Sequence, residues 1–458
     1  MAGIGFELNK IYGRKTLAAN IWGTIYATMT TVGPAVISAV LMLALVLMLE
    51  QTGLTMLESR FFIATSTYAF VIATLVSVLY ATPVSRYISD CIFLNKESDI
   101  CPSAFGVLTL STVVSGVIML VPCTLMYFSL GDISLTYLVN YYFLGVLVTD
   151  GFSMMTYASA LKHYRALTFS FLFGMVLGLL CYFTCDSLLG ISKITSACLA
   201  LTCCYFVVLF ALVFQCVKTF GLPRGRCFAF LAYFRKYPML TLAGFAYTLG
   251  LYTPTIIYWS FSPMGEWVSI FHSFGVYDIA LFMAIVANMP SLVIFVVKVE
   301  TSFYEKYTGY VSALNNGTHE MIQKERSVMV RTLRHQLFFV YEIQLIITIV
   351  VICLATVFFP YLNSSQQILQ YFVILSLGVY TVFCMYFTIV VFYYFSDYKG
   401  ACISAVTFLV ITAIGAATAV FLNDFYPFPL LISGLCGWIV SYVLLRRRME
   451  NLDSFLMC

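Results

Sequence analysis

The sequence contains little charge: Asp, Glu, Lys and Arg together make up 10% of its 458 residues. Hydrophobic residues make up 62%, and the mean hydropathy is +0.96. A soluble domain carries about 25% charged residues because its surface must face water. This composition therefore excludes a soluble globular protein and indicates a polytopic membrane protein.

Motifs for metal, redox or nucleophilic chemistry are also missing. The chain has 15 cysteines, but no two form a C-x-x-C pair, and most fall within apolar stretches, where cysteine behaves as a small hydrophobic residue. The four histidines are scattered, without the spacing of metal ligands. We therefore predict no metal site, no cofactor and no enzyme activity, and expect no nucleic-acid partner.

The few positive charges follow a regular pattern along the chain. Of the 24 Lys and Arg residues, 22 fall in seven segments that alternate with apolar stretches, and only Arg60 and Lys193 lie in the gaps. Because Lys and Arg beside membrane helices stay on the cytoplasmic side, both termini are predicted to be cytoplasmic. The pattern places the protein in the cytoplasmic membrane of the cell with many passes.

The apolar stretches are long enough to cross a membrane as helices, which takes about 20 residues at about 1.5 Å each. We predict an all-α protein with about twelve transmembrane helices in two six-helix bundles. The outward loops are short, and the longest, near 262–275, holds about a dozen residues. The predicted spans lie at about 18–49, 61–83, 104–128, 135–160, 166–189, 194–217, 237–261, 276–297, 337–360, 367–395, 401–422 and 427–445.

A basic segment with prolines inside it and just after it divides the chain. We predict an N-terminal bundle over residues 1–217, a cytoplasmic linker over 218–236 and a C-terminal bundle over 237–458. Two such halves are common in transporters that enclose a central cavity. The first 17 residues combine apolar and basic side chains, which suits a helix lying along the cytoplasmic leaflet.

Polar residues inside predicted spans mark a candidate cavity for the substrate or a coupling ion. Asp150 lies about 18 Å of helix from Lys162, near the bilayer centre, where a carboxylate is costly unless it is paired, protonated or wet. It either lines the cavity or locks two helices together. Glu342 lies about 12 Å beyond Arg334 and either faces the cavity or reaches the cytoplasmic interface. Asn288 is a further candidate.

Aromatic residues make up 17% of the chain, and sugars present apolar ring faces that stack on them. Tyr141 and Tyr252 are our candidates for the cavity, although membrane-interface belts and packing explain most aromatic residues. Other tyrosines with the same potential are Tyr142, Tyr157, Tyr247 and Tyr258.

Several predicted spans contain helix-breaking residues. A proline removes a backbone donor and leaves a carbonyl free. Gly33 with Pro34, Pro254 and Pro290 are candidate helix bends, either as moving points during transport or as ordinary packed kinks. The cytoplasmic segment from Glu300 to Arg334 carries both signs of charge and a predicted break at Asn315–Gly317. It either docks other subunits or is simply solvated beside lipid headgroups.

Several motifs resemble the PelG family. They are the opening Met1-Ala-Gly-Ile-Gly-Phe-Glu-Leu8, the Thr31-Val-Gly-Pro34 turn, Ala160-Leu-Lys-His-Tyr-Arg165, Val297-Lys-Val-Glu-Thr-Ser-Phe-Tyr-Glu-Lys-Tyr307 and Tyr393-Tyr-Phe395 before Lys399. The resemblance covers nearly the whole chain. One departure is in the seventh span, where family members carry a charged Asp-Lys pair and this chain reads Leu249-Gly-Leu-Tyr-Thr-Pro-Thr-Ile-Ile-Tyr-Trp259.

This resemblance implies the polytopic component of the Pel exopolysaccharide export apparatus, related to flippases and multidrug exporters. It implies a polysaccharide or lipid-linked sugar as substrate, membrane lipid as surroundings, and other Pel subunits, including a cytoplasmic glycosyltransferase, as partners. We expect an exporter that works by alternating access. The alternatives are a membrane polymerase, which the short outward loops disfavour, a non-transporting scaffold of the synthase complex, and a cation-coupled exporter of small molecules.

Overall fold

The computed structural model of the protein describes residues 28–29, 32–51, 56–129, 131, 133–160, 164–362 and 366–450. The predicted interfacial N-terminal helix lies outside these residues. Helices dominate the described chain, and eleven of them are long and apolar enough to cross a membrane. The predicted all-α polytopic membrane protein is confirmed, whereas the cytoplasmic position of both termini stays a prediction.

The described residues cluster into two compact units. The first comprises Gly33–Thr248 with Gly265–Ser273, and the second includes Leu249–Met264 and the described part of Phe274–Cys458. The chain passes from the first unit to the second between Thr248 and Leu249. Both residues lie inside one helix, after the predicted linker at residues 218–236. The domain limits proposed from the sequence therefore stay a prediction.

The first unit holds seven helices and the beginning of an eighth. They are α1 (Gly33–Gln51), α2 (Met56–Phe93), α3 (Ile100–Ser129), α4 (Leu135–Ala160), α5 (Tyr164–Ser187), α6 (Lys193–Phe220), the short α7 (Leu231–Lys236) and α8 (Pro238–Phe261).

The second unit holds the end of α8 and the remaining helices. They are α9 (Gly275–Asn288), α10 (Pro290–Phe295), a π-helical turn (Val296–Glu300), α11 (Thr301–Asn316), α12 (His319–Phe358), α13 (Gln366–Tyr394), α14 (Tyr398–Leu422) and α15 (Phe428–Glu450).

Most predicted spans correspond to these helices, and the main differences concern the number of spans and their bounds. α4, the helix that carries Asp150, is 26 residues long but is not among the eleven candidate spans, so the count of twelve stays a prediction. The predicted span at 276–297 is interrupted at Met289. The span predicted at 337–360 is the end of α12, which begins at His319 and has 40 residues. Within the described residues the first span begins at Gly33.

A small β-hairpin occupies the longest predicted outward loop of a chain that was predicted from its sequence to be all-α. Strand β1 (Glu266–Val268) pairs antiparallel with β2 (Phe271–Ser273), and Trp267 stacks on His272 with ring centroids 4.7 Å apart. Tyr68 on α2 donates a hydrogen bond to the carbonyl of His272 at 2.8 Å. The hairpin is thereby fixed to the first unit.

Apolar side chains cover both the interior and the outer surface of the helices. Helix α13 is the most enclosed, with 78% of its most apolar stretch buried, and it packs against α9, α12, α14 and α15. On the outer surface Phe210 is 66% exposed and Phe421 is 88% exposed. Large apolar side chains on an outer surface are expected where hydrocarbon replaces water.

Candidate substrate and coupling sites

Asp150 lies inside the first unit, between α3 and α4, and is 4% exposed. The hydroxyl of Ser111 donates to one carboxylate oxygen of Asp150, and the hydroxyl of Thr112 donates to the other at 2.7 Å. Thr112 itself is exposed, so the pair lies at the edge of the unit. Among the described residues, no Lys or Arg forms an ion pair with Asp150. Its ligands are therefore hydroxyl groups.

The two helices that carry this site approach each other closely. The hydroxyl of Ser103 on α3 hydrogen bonds to that of Tyr157 on α4 at 3.1 Å. A Cβ at Gly116 would lie 2.7 Å from the hydroxyl of Tyr142, so only glycine fits there. Asp150 thus belongs to a polar seam along the α3–α4 contact, and the arrangement can hold a hydroxyl-rich ligand or fasten the two helices.

Tyr141 lies on the same helix as Asp150 but points into the packed core. Its ring lies parallel to that of Tyr137, with centroids 6.5 Å apart, and the Tyr137 hydroxyl shares a hydrogen bond with Thr65 at 2.8 Å. The Tyr141 hydroxyl is buried and has no hydrogen-bond partner within the described residues. Tyr141 and Asp150 are not brought into one site by any contact.

A second polar cluster lies in the second unit around Asn288, which is fully buried at the end of α9. Its side-chain nitrogen donates to the carbonyls of Ala284 at 2.9 Å and Ser376 at 3.1 Å. Its side-chain oxygen accepts from Gln344 and from Thr348, both at 3.1 Å. This cluster joins α9, α12 and α13.

The Asn288 cluster also lies beside the junction of two helices. Helix α9 ends at Asn288, and Pro290 begins α10 after the single residue Met289. The hydroxyl of Ser291 donates to the carbonyl of Asn288 at 2.6 Å. Of the polar atoms around this junction, Oε1 of Gln344 is buried without a partner in the described chain. The bend predicted at Pro290 stays a prediction, and Pro290 lies two residues after the buried Asn288 of this cluster.

The other predicted bends differ from one another in position. Pro34 is the second residue of α1, and its carbonyl accepts from the hydroxyl of Ser38 at 2.9 Å. Pro254 lies inside α8, where the hydroxyl of Thr253 donates to the carbonyl of Leu249 at 2.7 Å. Gly33 begins α1. None of these residues contacts the Asp150 or the Asn288 cluster.

Glu342 and Tyr252 are not part of either cluster. Glu342 is on the exposed side of α12, whereas Tyr341 and Gln344 on the same helix are buried. Tyr252 is half-buried on α8. The roles proposed for these two residues stay predictions.

Asp278 is a membrane carboxylate that the sequence analysis did not select. The indole of Trp259 donates to its Oδ2 at 2.8 Å, and its Oδ1 is buried without a partner among the described residues. The neighbouring Tyr258, predicted as a possible sugar contact, is fully buried, and its hydroxyl donates to the carbonyl of Tyr426. Asp278 could have been identified from the sequence, because it is an acidic residue at the third position of the predicted 276–297 span.

No group of three or more potential metal ligands occurs in the part of the chain that the structure describes. The described polar clusters offer hydroxyls, amides and carboxylates within helices that cross a membrane. Such groups are typical of a polytopic transporter, in which intramembrane polar residues serve a substrate or ion path.

Comparison with solved structures finds a similar fold in transporters of the MOP superfamily. A MOP superfamily transporter from Pyrococcus furiosus superposes with a TM-score of 0.65 at 15% identity, over 94% of this chain and 96% of that chain. The eukaryotic MATE transporter AtDTX14 gives a TM-score of 0.61 at 14% identity, over 97% and 95% of the two chains. Identities this low show the fold alone. The fold is thus one that known membrane transporters share.

The chain belongs to the PelG family, whose model, described as a putative exopolysaccharide exporter (EPS-E), matches residues 1–456. The resemblance identified from the sequence motifs is thereby confirmed. A sequence comparison with curated proteins finds no match.

Proposed function

We propose that the protein exports a Pel-type exopolysaccharide, or its lipid-linked precursor, across the cytoplasmic membrane. The observation that carries the proposal is the match of nearly the entire chain to a family of exopolysaccharide exporters. The mechanism is alternating access, in which the two helical units open the substrate path first to the cytoplasm and then to the exterior.

Asp150 is proposed as a ligand for sugar hydroxyls or for a coupling cation. Its two present partners are hydroxyl groups, and a sugar presents the same groups, so a sugar can replace Ser111 or Thr112 without a change in the kind of hydrogen bond. The exposed position of Thr112 supports this exchange, because its hydroxyl can leave the carboxylate at small cost.

A bend at Met289 and Pro290 is proposed as a hinge between two helical segments of the second unit. Proline at this position cannot donate to the preceding turn, so the two helical pieces are not coupled by that backbone hydrogen bond. The Asn288 cluster supports the bend from the side through two 3.1 Å hydrogen bonds from α12. Neutral hydrogen bonds of this kind can exchange partners during a conformational change.

A scaffold role is the second candidate, and one observation favours it. Helices α11 and α12 form a packed hairpin on the side predicted to be cytoplasmic, with Tyr310, Met329 and Leu333 buried. The predicted break between these helices, at Asn315–Gly317, is confirmed. The charged faces of this hairpin offer a surface on which other Pel subunits, including a cytoplasmic glycosyltransferase, can dock.

The test is the position of the polymer in cells that lack only this protein and retain the glycosyltransferase. Export predicts that polymer or lipid-linked sugar accumulates inside these cells and that the wild-type protein restores it outside. Absence of polymer both inside and outside would contradict export and support the scaffold. An Asp150→Asn variant that inserts normally but leaves the polymer inside would link export to the α3–α4 site.

A further inference from the structure

A cavity of about 480 Å³ lies at the end of the first unit that the basic loops assign to the cytoplasm. None of its lining residues belongs to either polar cluster described above. Its walls come from the end of α2, the following turn and the linker before α7. Two polar features of these walls and their packing determine what the cavity can bind.

The first feature is a pair of cations without anionic partners. Lys96 and Arg226 both line the cavity and both are exposed. Within the described chain neither of them forms an ion pair. Two unpaired cations at one cavity favour an anionic ligand, and arginine in particular presents a fork that matches phosphate oxygens.

The second feature is a pair of carboxylates that remain beside these cations. Asp90 is already compensated, because Arg86 pairs with it at 3.2 Å and the hydroxyl of Tyr233 donates to it at 2.9 Å. Asp99 is half-buried, lines the same cavity and lies next to Gly225. A carboxylate accepts hydrogen bonds from sugar hydroxyl groups, whereas an ionised phosphate has no hydrogen to donate to it. The cavity therefore has partners for phosphate and for sugar hydroxyls together.

The third feature is that the cavity walls are fixed by packing. Phe230 in the linker is fully buried, and the rings of Tyr87 and Tyr233 meet edge to face with centroids 5.2 Å apart. A Cβ at Gly106 on α3 would overlap the carbonyl oxygen of Cys227, so the linker lies directly on that helix. A cavity held in this way is largely formed before its ligand arrives.

Local backbone conformation places the two cations. Helix α2 ends at Phe93, Asn95 takes the left-handed conformation with a φ of 54°, and the Lys96 amide donates back to the carbonyl of Cys91 at 2.8 Å. Gly225 has a φ of 141°, which a residue with a side chain rarely adopts, and this brings Arg226 to the cavity edge. Burial and the hydrogen bond to Asp90 raise the pKa of Tyr233 to about 12, so its phenol stays a donor at neutral pH.

We infer that this cavity binds a sugar diphosphate, with Lys96 and Arg226 on the phosphates and the Asp99 carboxylate on the sugar hydroxyls. Its volume suits a sugar with one or two phosphates. The ligand comes from one of two sources, a soluble nucleoside diphosphate sugar or a sugar linked by diphosphate to a membrane lipid. With a soluble ligand the inference goes beyond the proposed export function, and with a lipid-linked ligand it rests on that function and names the chemistry of its substrate.

The experiment measures binding to the full-length protein in lipid nanodiscs by calorimetry. The soluble probe is UDP-N-acetylglucosamine, and the membrane probe is N-acetylglucosamine linked by diphosphate to a polyprenol in the nanodisc. N-acetylglucosamine without phosphate is the negative probe. Binding of either diphosphate probe supports the inference and identifies the source, provided that it depends on the cavity.

Three variants test that dependence. Lys96→Met and Arg226→Gln should each weaken diphosphate binding by about tenfold or more, the loss expected for one charge-assisted hydrogen bond. Arg224→Gln is the matched control, because Arg224 is an exposed linker residue that does not line the cavity. Both substituted cavity residues are exposed, so a thermal melt should show the fold unchanged.

The absence of binding by both diphosphate probes would overturn the inference. So would diphosphate binding that Arg224→Gln weakens as much as the two cavity variants do. Neither result bears on export, because the polymer assay in intact cells reads transport without reference to this cavity. Equal binding of the phosphate-free sugar would likewise contradict the assignment of Lys96 and Arg226 to phosphate.

Discussion

Replacement of Asn288 by leucine tests whether the polar cluster in the second unit stabilises the fold. Leucine has the same number of side-chain heavy atoms and the same branching, so the change removes hydrogen bonds and keeps the shape of the side chain. Gln344 and Thr348 each lose a 3.1 Å bond to the Asn288 oxygen, although both keep another partner. At about 0.6 kcal/mol for a hydrogen bond between membrane helices, the loss of these two bonds and of the bond to the Ser376 carbonyl is about 2 kcal/mol.

The assay is the free energy of unfolding in mixed micelles, obtained by titration with SDS. Asn140→Leu is the matched control, because Asn140 is also a buried asparagine in a helix, but its side-chain nitrogen has no partner among the described residues. We expect Asn140→Leu to be neutral or stabilising and Asn288→Leu to be destabilising. Equal effects of the two substitutions would refute the reasoning that the Asn288 hydrogen bonds stabilise the fold.

Three further predictions follow from single contacts. Asp150→Asn should reduce polymer export by about tenfold or more, as expected for a functional intramembrane carboxylate, in an export assay normalised to membrane-inserted protein; full export would reject its role. Gly106→Ala should cost about 3 kcal/mol of unfolding free energy because its Cβ overlaps the linker, whereas Gly131→Ala, with open space around it, should be neutral. Arg448→Met removes the 2.6 Å hydrogen bond to the buried Asp397 and should lower the unfolding free energy by about 1–3 kcal/mol; an unchanged SDS midpoint would contradict this.

The sequence predicted the helices well because length and hydropathy decide whether a segment can cross a membrane. It was less successful where local packing decides the structure. The hairpin Glu266–Ser273 is held by cross-strand pairing and by Tyr68, more than 200 positions away, which no local pattern records. The interruption at Met289 was foreseeable from Pro290, but the π-helical turn Val296–Glu300 has no comparable signal.

The candidate sites show the same limit. Asp150 and Asn288 were found because a polar residue in a long apolar stretch is conspicuous. Gln344 was not selected although helical periodicity contains the information: Tyr341, Gln344 and Thr348 share one side of α12, and that side is buried. Glu342 falls on the exposed side of the same helix. Which residues meet across helices, such as Asn288 with Gln344, depends on tertiary packing that one sequence does not record.

Export itself is tested most directly in inverted membrane vesicles that contain the synthase subunits. A radiolabelled sugar nucleotide is added outside the vesicles, and a glycosidase then removes polymer that has not entered the lumen. The account predicts glycosidase-protected polymer in vesicles with the wild-type protein and unprotected polymer in vesicles without it. Equal protection in both preparations would contradict the claim that this chain carries the polysaccharide across the membrane.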